Sequence, residues 1–167
     1  MAIRKGKLVS LIVLLILLLL TACKATETTP KKSSSKSLIG QAAHSNLKLI
    51  VKVDKKTYKP KQSINVDMSL TNVSSKIIKF EFSSAKKFDL AAVNEKGEEA
   101  YRWSGDRAFA QVILPASLQP KESFKQKFNF SLSQKGKYEV KGETGTIFIN
   151  QKPLTLKASP VEILIKD

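Results

Sequence analysis

From Leu47 onward the chain alternates. Leu47, Leu49, Val51 and Val53 are separated by Lys48, Ile50 and Lys52, and Ile64, Val66, Met68 and Leu70 by Asn65, Asp67 and Ser69. A period of two sends one set of side chains to a core and the other to water, which a helix with 3.6 residues per turn does not do. The pattern returns at Ile78, Phe80 and Phe82, at Phe88, Leu90 and Ala92, at Tyr101 and Trp103, and at Phe124, Gln126, Phe128 and Phe130, with Gln126 as its polar exception. Asn94-Glu95-Lys96-Gly97 reads as a hairpin, and Leu118-Gln119-Pro120-Lys121-Glu122 and the KKTYKPKQ stretch (55–62) read as turns. Further strands are expected at 146–149, 154–157 and 161–166. No window of twelve residues carries a helical stripe. Eight or nine short strands predict an all-β, immunoglobulin-like antiparallel β-sandwich over residues 47–167.

The segment before it has a different grammar. Arg4, Lys5 and Lys7 precede a thirteen-residue run (8–20) whose only polar member is Ser10. As a helix this run would be about 20 Å long, short of a bilayer's hydrocarbon core of roughly 30 Å, so it reads as an export signal. Leu20-Thr21-Ala22-Cys23 resembles the lipobox of bacterial lipoproteins, in which cleavage before the cysteine leaves a thiol that takes a diacylglyceryl group. Residues 1–22 are thus expected to be a lipoprotein signal peptide and Cys23 the lipid attachment site, on a protein held at the extracytoplasmic face of the cell membrane. Two acyl chains suffice for stable anchoring. Residues 24–46 are Ser-, Thr-, Lys- and Ala-rich with no apolar periodicity, and predict a disordered tether carrying His44 as an ordinary linker residue.

Composition narrows the chemistry. One cysteine excludes an internal disulfide and a cysteine-rich metal site, and one histidine removes the usual zinc clusters and histidine-assisted nucleophiles. The carboxylates between Glu95 and Asp106 lack the spacing of a calcium loop. No cofactor, no metal and no enzymatic activity are expected. The segment 47–167 holds 22 basic and 13 acidic residues, a balance of +9. Its lysines are spread over nearly every strand as solvated faces would be, which argues against nucleic acid as partner.

The stretch 101–111 stands out. It concentrates both arginines of the domain, Arg102 and Arg107, with its one tryptophan, Trp103, and with Tyr101, Ser104, Asp106, Phe109 and Gln111. Trp, Tyr and Arg are the side chains most enriched in interface hot spots. By phase Trp103 turns inward with Tyr101, whereas Asp89 opposes Phe88 and Leu90. A buried aromatic under an exposed recognition loop is the expected arrangement.

The order Phe88-Asp89-Leu90, Asn94-Glu95-Lys96-Gly97, Tyr101-Arg102-Trp103-Ser104, Phe109-Ala110-Gln111, Leu118-Gln119-Pro120-Lys121-Glu122 and Gly136-Lys137-Tyr138 resembles the BsuPI family, named after an intracellular proteinase inhibitor of Bacillus. The resemblance implies a small immunoglobulin-like domain, with Phe88, Asp89, Trp103, Ser104, Phe109 and Gln111 as signature positions. Lys121 departs from it, since the family commonly has glycine there; a left-handed turn residue would be placed differently or elsewhere. Together these readings predict a membrane-anchored, extracytoplasmic protein-interaction module. The alternative is a proteinase inhibitor or modulator acting on an envelope or secreted protease.

Overall fold

The computed structural model describes residues 37–167, which fall within the compact unit Ser34–Asp167. The expected signal peptide, Cys23 and the tether up to residue 36 lie outside the described residues. Thirteen strands and no helix are found among the described residues: β1 (Ile39–His44), β2 (Leu47–Val53), β3 (Thr57–Tyr58), β4 (Ser63–Asn72), β5 (Ile78–Phe82), β6 (Phe88–Asn94), β7 (Glu99–Arg102), β8 (Leu114–Leu118), β9 (Ser123–Ser131), β10 (Gly136–Thr144), β11 (Ile147–Ile149), β12 (Lys152–Leu154) and β13 (Val161–Ile165). They form three sheets, ordered β1-β2-β4-β9 (sheet A), β3-β13-β10-β6-β7 (sheet B) and β12-β11-β5-β8 (sheet C). All pairings are antiparallel except that of β3 with β13. The all-β sandwich is therefore present, with more strands than the alternation alone revealed.

The alternating residues build the core. On sheet A, Leu49, Leu70 and Phe124 form one cross-strand row and Val53, Val66 and Phe128 another, and all of them but the half-buried Phe124 are buried. On sheet B, Val140 pairs with Val161 on one side and with Ala92 on the other, all three buried. Gly142 faces sheet A so closely that a Cβ there would sit 2.5 Å from Val51 Cγ2 and 2.9 Å from Met68 Cε. A bare backbone is thus what lets the two sheets meet at that point. Sheet C contributes Phe80 and Phe82, which pack edge to face with each other and with Phe124.

Two expectations are corrected. The tether does not run to residue 46: Ile39–His44 is strand β1, paired in register with β2 from Ile39↔Lys52 to His44↔Leu47. A hairpin turn of Ser45 and Asn46, both at positive φ, joins the strands. The segment's composition hid this because only Gly40 of β1 is buried. The Gly40 backbone lies against Ser159, where a Cβ would fall 1.9 Å from the Ser159 carbonyl oxygen, and the Ser159 amide donates to Gln41 O at 3.2 Å. The strand is held by backbone bonds rather than apolar burial. The KKTYKPKQ stretch likewise is more than a turn, since Tyr58 within it is a core residue, 1% exposed, whose hydroxyl donates to Asp54 Oδ1 at 2.6 Å.

The left-handed position in the 118–122 turn is Lys121 itself, at φ 66°. Its counterpart is Lys61, at φ 62°, in the similar Lys59-Pro60-Lys61-Gln62 turn. In each, proline occupies the second place and the fourth residue's amide donates to the first residue's carbonyl at 3.0 Å, the type II pattern. The Lys61 amide caps Leu132 O at 2.7 Å and the Lys121 amide caps Asn72 O at 2.9 Å, so the two turns close opposite ends of the β4–β9 ribbon. A Cβ in this region costs about 1–2 kcal/mol, partly offset in the unfolded state by the freedom a glycine would have there. Lys61→Gly and Lys121→Gly are each expected to stabilise the domain by about 0.5–1 kcal/mol, additively because the sites are far apart. Urea unfolding of both single variants and of the pair measures this; destabilisation by either would contradict the assigned turn geometry.

Candidate functional site

The hairpin of β6 and β7 sets up the loop that follows. Asn94 O accepts from Gly97 N at 3.0 Å, and Gly97 sits at φ 82°. The register shifts between Ala92 and Val93, whose partners are Tyr101 and Glu99, so Ala100 is an extra residue on β7. Such a bulge twists the strand and re-aims what comes next. Tyr101 then stacks on Phe130 with ring centroids 4.5 Å apart. The Trp103 amide donates to Leu90 O at 2.8 Å, and its ring meets Phe128 edge-on at 5.3 Å.

Asp89 is the centre of the arrangement. It points away from the core as its phase predicts, yet it is only 1% exposed, because neighbouring side chains close over it. Its Oδ2 accepts from Ser104 Oγ at 2.6 Å, Lys86 Nζ at 3.0 Å and Arg102 Nη1 at 3.2 Å, and its Oδ1 accepts from the Leu90 amide at 2.9 Å. Burial by itself would raise the carboxyl's pKa. The Ser104, Lys86 and Leu90 donors outweigh it and hold the pKa below the ordinary carboxylate value. Arg102 is engaged a second time, its Nε lying 2.9 Å from both Glu99 carboxylate oxygens. The Glu99 bond, foremost, raises the guanidinium's pKa despite partial burial.

The loop between β7 and β8 folds back on Trp103. Phe109 packs against the indole at 5.4 Å, and the Arg107 guanidinium covers it at 4.9 Å while Arg107 Nε donates to Trp103 O at 2.8 Å. Ala85 N donates to Ala110 O at 3.0 Å, fastening the far limb, and Leu114 enters β8 opposite Phe82. Between these two fastenings Gln111, Val112 and Ile113 are exposed, the aliphatic pair at 47% and 54%.

The structure thus brings Phe88, Asp89, Arg102, Trp103, Ser104, Arg107 and Phe109 into one assembly. Phe88 is buried, whereas Trp103 and Phe109 are half-buried at its margin. Asp106 stands at the exposed tip, 3.9 Å from Arg107, and Gln111 reaches back to Phe109 O at 3.2 Å. The signature positions are mostly internal struts, and the outward-facing chemistry passes to Val112 and Ile113, which lie just past the motif. Lys86, Glu99, Ala85 and Phe128 also belong to the assembly. Lys86 and Glu99 lie three residues from their partners Asp89 and Arg102, a spacing that could have signalled them, whereas Ala85 and Phe128 meet theirs only across the fold. Of the carboxylates between Glu95 and Asp106, Glu95 pairs with Lys137, Glu98 accepts from Asn94, and Glu99 binds Arg102. No group of three potential ligands converges among the described residues.

A family model described as BsuPI, intracellular proteinase inhibitor, matches residues 51–147. The chain belongs to the BsuPI family. No curated protein matches the sequence. Solved structures similar to this BsuPI chain include Northeast Structural Genomics Consortium target SoR45, at TM-score 0.47 and 8% identity, covering 74% of this chain and 90% of that one. Spo0M, a sporulation control protein from Bacillus subtilis, has TM-score 0.41 and 17% identity, covering 74% of this chain and 51% of that one. A CARDB domain from Pyrococcus furiosus has TM-score 0.42 and 14% identity, with 81% and 97% covered.

Because the pKa of Asp89 is depressed in the BsuPI fold, its contribution to stability is complete above the ordinary carboxylate range and fades as pH falls through the lower folded-state value. Asp89→Asn is expected to cost about 2–3 kcal/mol at pH 7. The gap between variant and parent should narrow below about pH 4, where the unfolded carboxyl protonates. Urea titrations at pH 7 and pH 3 measure this; a gap equal at both would mean that the carboxylate charge is not what holds the loop.

Proposed function

We propose that this protein is a proteinase inhibitor or modulator, held at the extracytoplasmic face of the cell membrane by a lipid on Cys23, and that Gln111, Val112 and Ile113 form its proteinase-contacting span. The observation that carries the reading is the span's construction. Its two ends are fastened through the backbone, at Ala110 by Ala85 and at Leu114 by β5, while its apolar side chains face solvent. A segment already held in place loses little freedom on binding, which is what a substrate-like inhibitor needs. The family's description as a proteinase inhibitor points the same way.

The arginines do not supply the primary contact in this reading. Arg102 is bound to Asp89 and Glu99, and Arg107 lies over Trp103, so presenting either to a partner would dismantle the loop's support. The free side chains are aliphatic, and a proteinase with an apolar specificity pocket is the partner they suit. The lipobox-like Leu20-Thr21-Ala22-Cys23 supports the location.

The compact domain at stoichiometric concentration should slow a serine endoproteinase that cuts after aliphatic residues, and leave one that cuts after basic residues unaffected. Val112→Asp with Ile113→Asp should weaken inhibition at least about tenfold, since two apolar contacts of roughly 1–2 kcal/mol each are lost. Residual-activity assays over a proteinase panel decide it; no inhibition of any member would leave a non-inhibitory interaction module in its place. For the anchor, intact-mass measurement of membrane-extracted protein should find Cys23 first in the chain and carrying diacylglyceryl. A chain that retains residues 1–22 without acyl mass would remove the proposed location.

A further inference from the structure

The outer face of sheet A is unlike that of sheet B. Residues that alternate with the core put Lys48, Lys52, Lys125 and Lys127 on it, with Asp67 as its one acid. The register makes a cross-strand row of Ile39, Lys52, Asp67 and Lys127, then one of Gln41, Ile50, Ser69 and Lys125, then one of Ala43, Lys48, Thr71 and Ser123. With strands about 5 Å apart and about 3.4 Å per residue, the four lysines span roughly 10 by 14 Å. Among the described residues none of the four is in an ion pair. A shallow hollow of about 310 Å³ opens between Lys52, Lys125 and Lys127, floored by Ile50 and Ser69. Ile39, 46% exposed, stands at the edge of the same face.

Sheet B faces outward with charges matched. Lys141 pairs with Glu139 at 3.1 Å, Lys157 with Glu143 at 3.7 Å, and Lys86 and Arg102 with Asp89. The excess positive charge of the domain is therefore not uniform. On the sheet that the amino-terminal strand β1 borders it leaves a flat face where four lysines outnumber the single carboxylate of Asp67, which lies between Lys52 and Lys127.

We propose that the outer face of sheet A docks on an anionic lipid surface, with headgroup phosphates drawn to Lys48, Lys52, Lys125 and Lys127, and with Ile39 and Ile50 against the interface. Lysines near an anionic bilayer act additively and within a Debye length of about 8 Å at physiological salt, so a flat face that brings four of them down together is the geometry that uses them best. The attachment of β1 to this sheet agrees, because a chain anchored before residue 37 enters the domain along the docking face. The inference depends neither on the proteinase reading nor on acylation of Cys23, and it is tested without either.

The test uses the compact unit Ser34–Asp167, which contains every core residue named above, in sedimentation with vesicles of neutral phospholipid alone or with 30 mol% anionic phospholipid as the composition of choice (about a third, to give a strong surface potential). Binding is expected to the anionic vesicles only, and to fall steeply with salt. Lys125→Gln with Lys127→Gln should lower the partition coefficient by roughly 30-fold, at about 1 kcal/mol per lysine. Lys79→Gln with Lys152→Gln, which removes the same charge from sheet C, should lower it by less than about threefold. Equal losses for the two pairs would reduce the effect to bulk charge and overturn the proposal. So would equal binding to both vesicle types, or retention of a soluble glycerol-phosphate polymer without binding to vesicles.

Discussion

A carboxylate shut away from water must be met by donors or give up its charge, and Asp89 is met by four. Replacing water around an isolated ion costs several kcal/mol even after the protein relaxes, so the donors have little freedom to leave. Lys86 comes from the chain before β6, Leu90 from β6 itself, Arg102 from the end of β7 and Ser104 from the loop. One buried charge thus ties four segments together at the point where regular pairing ends. Trp103 is placed between two of those donors, which explains why its indole has a fixed position on which Phe109 and Arg107 can rest. The loop's order is therefore an electrostatic consequence carried outward by aromatic packing.

The same domain accepts local strain where the sandwich requires it. Lys61 and Lys121 hold left-handed conformations that glycine would adopt more readily, while Gly40 and Gly142 occupy places where any side chain would collide. The two kinds of site are physically distinct. A lysine in the left-handed region carries an intrinsic backbone cost with space around it, whereas a methyl at Gly40 would meet a carbonyl that cannot move without breaking β1 from the 158–160 segment.

Charge is distributed by sheet rather than by strand. Sheet B spends its basic residues on neighbouring acids, and sheet A keeps lysines unmatched on its outer face. Lys125 and Lys127 among them also guard β9, a nine-residue edge strand whose inner face is rich in phenylalanine and which would otherwise invite pairing with a second chain. The face proposed to meet lipid is on sheet A and the span proposed to meet a proteinase joins sheets B and C, so the one proposed use need not obstruct the other.

The strands with apolar alternation were legible residue by residue: β2, β4, β5, β6, β9 and the Asn94-to-Gly97 hairpin follow directly from the period of side-chain direction, and the ordered motifs from Phe88 to Tyr138 were enough to indicate the family. Alternation depends only on neighbours along the chain. β1, β3 and the full donor set of Asp89 were not legible: β1 lacks an apolar alternation, β3 pairs with the distant β13, and Arg102 and Ser104 reach Asp89 from 13 and 15 residues away, although Lys86 and Leu90 are its near neighbours along the chain. Ile39–His44 buries almost nothing apolar and is a strand only because β2 and Ser159 accept its backbone. Sequence showed Arg102 and Arg107 as the conspicuous groups of the loop; only the folded arrangement tied Arg102 to Asp89 and Glu99 and Arg107 to Trp103 and left Val112 and Ile113 facing solvent, since which side chain is free is settled by what lies across from it.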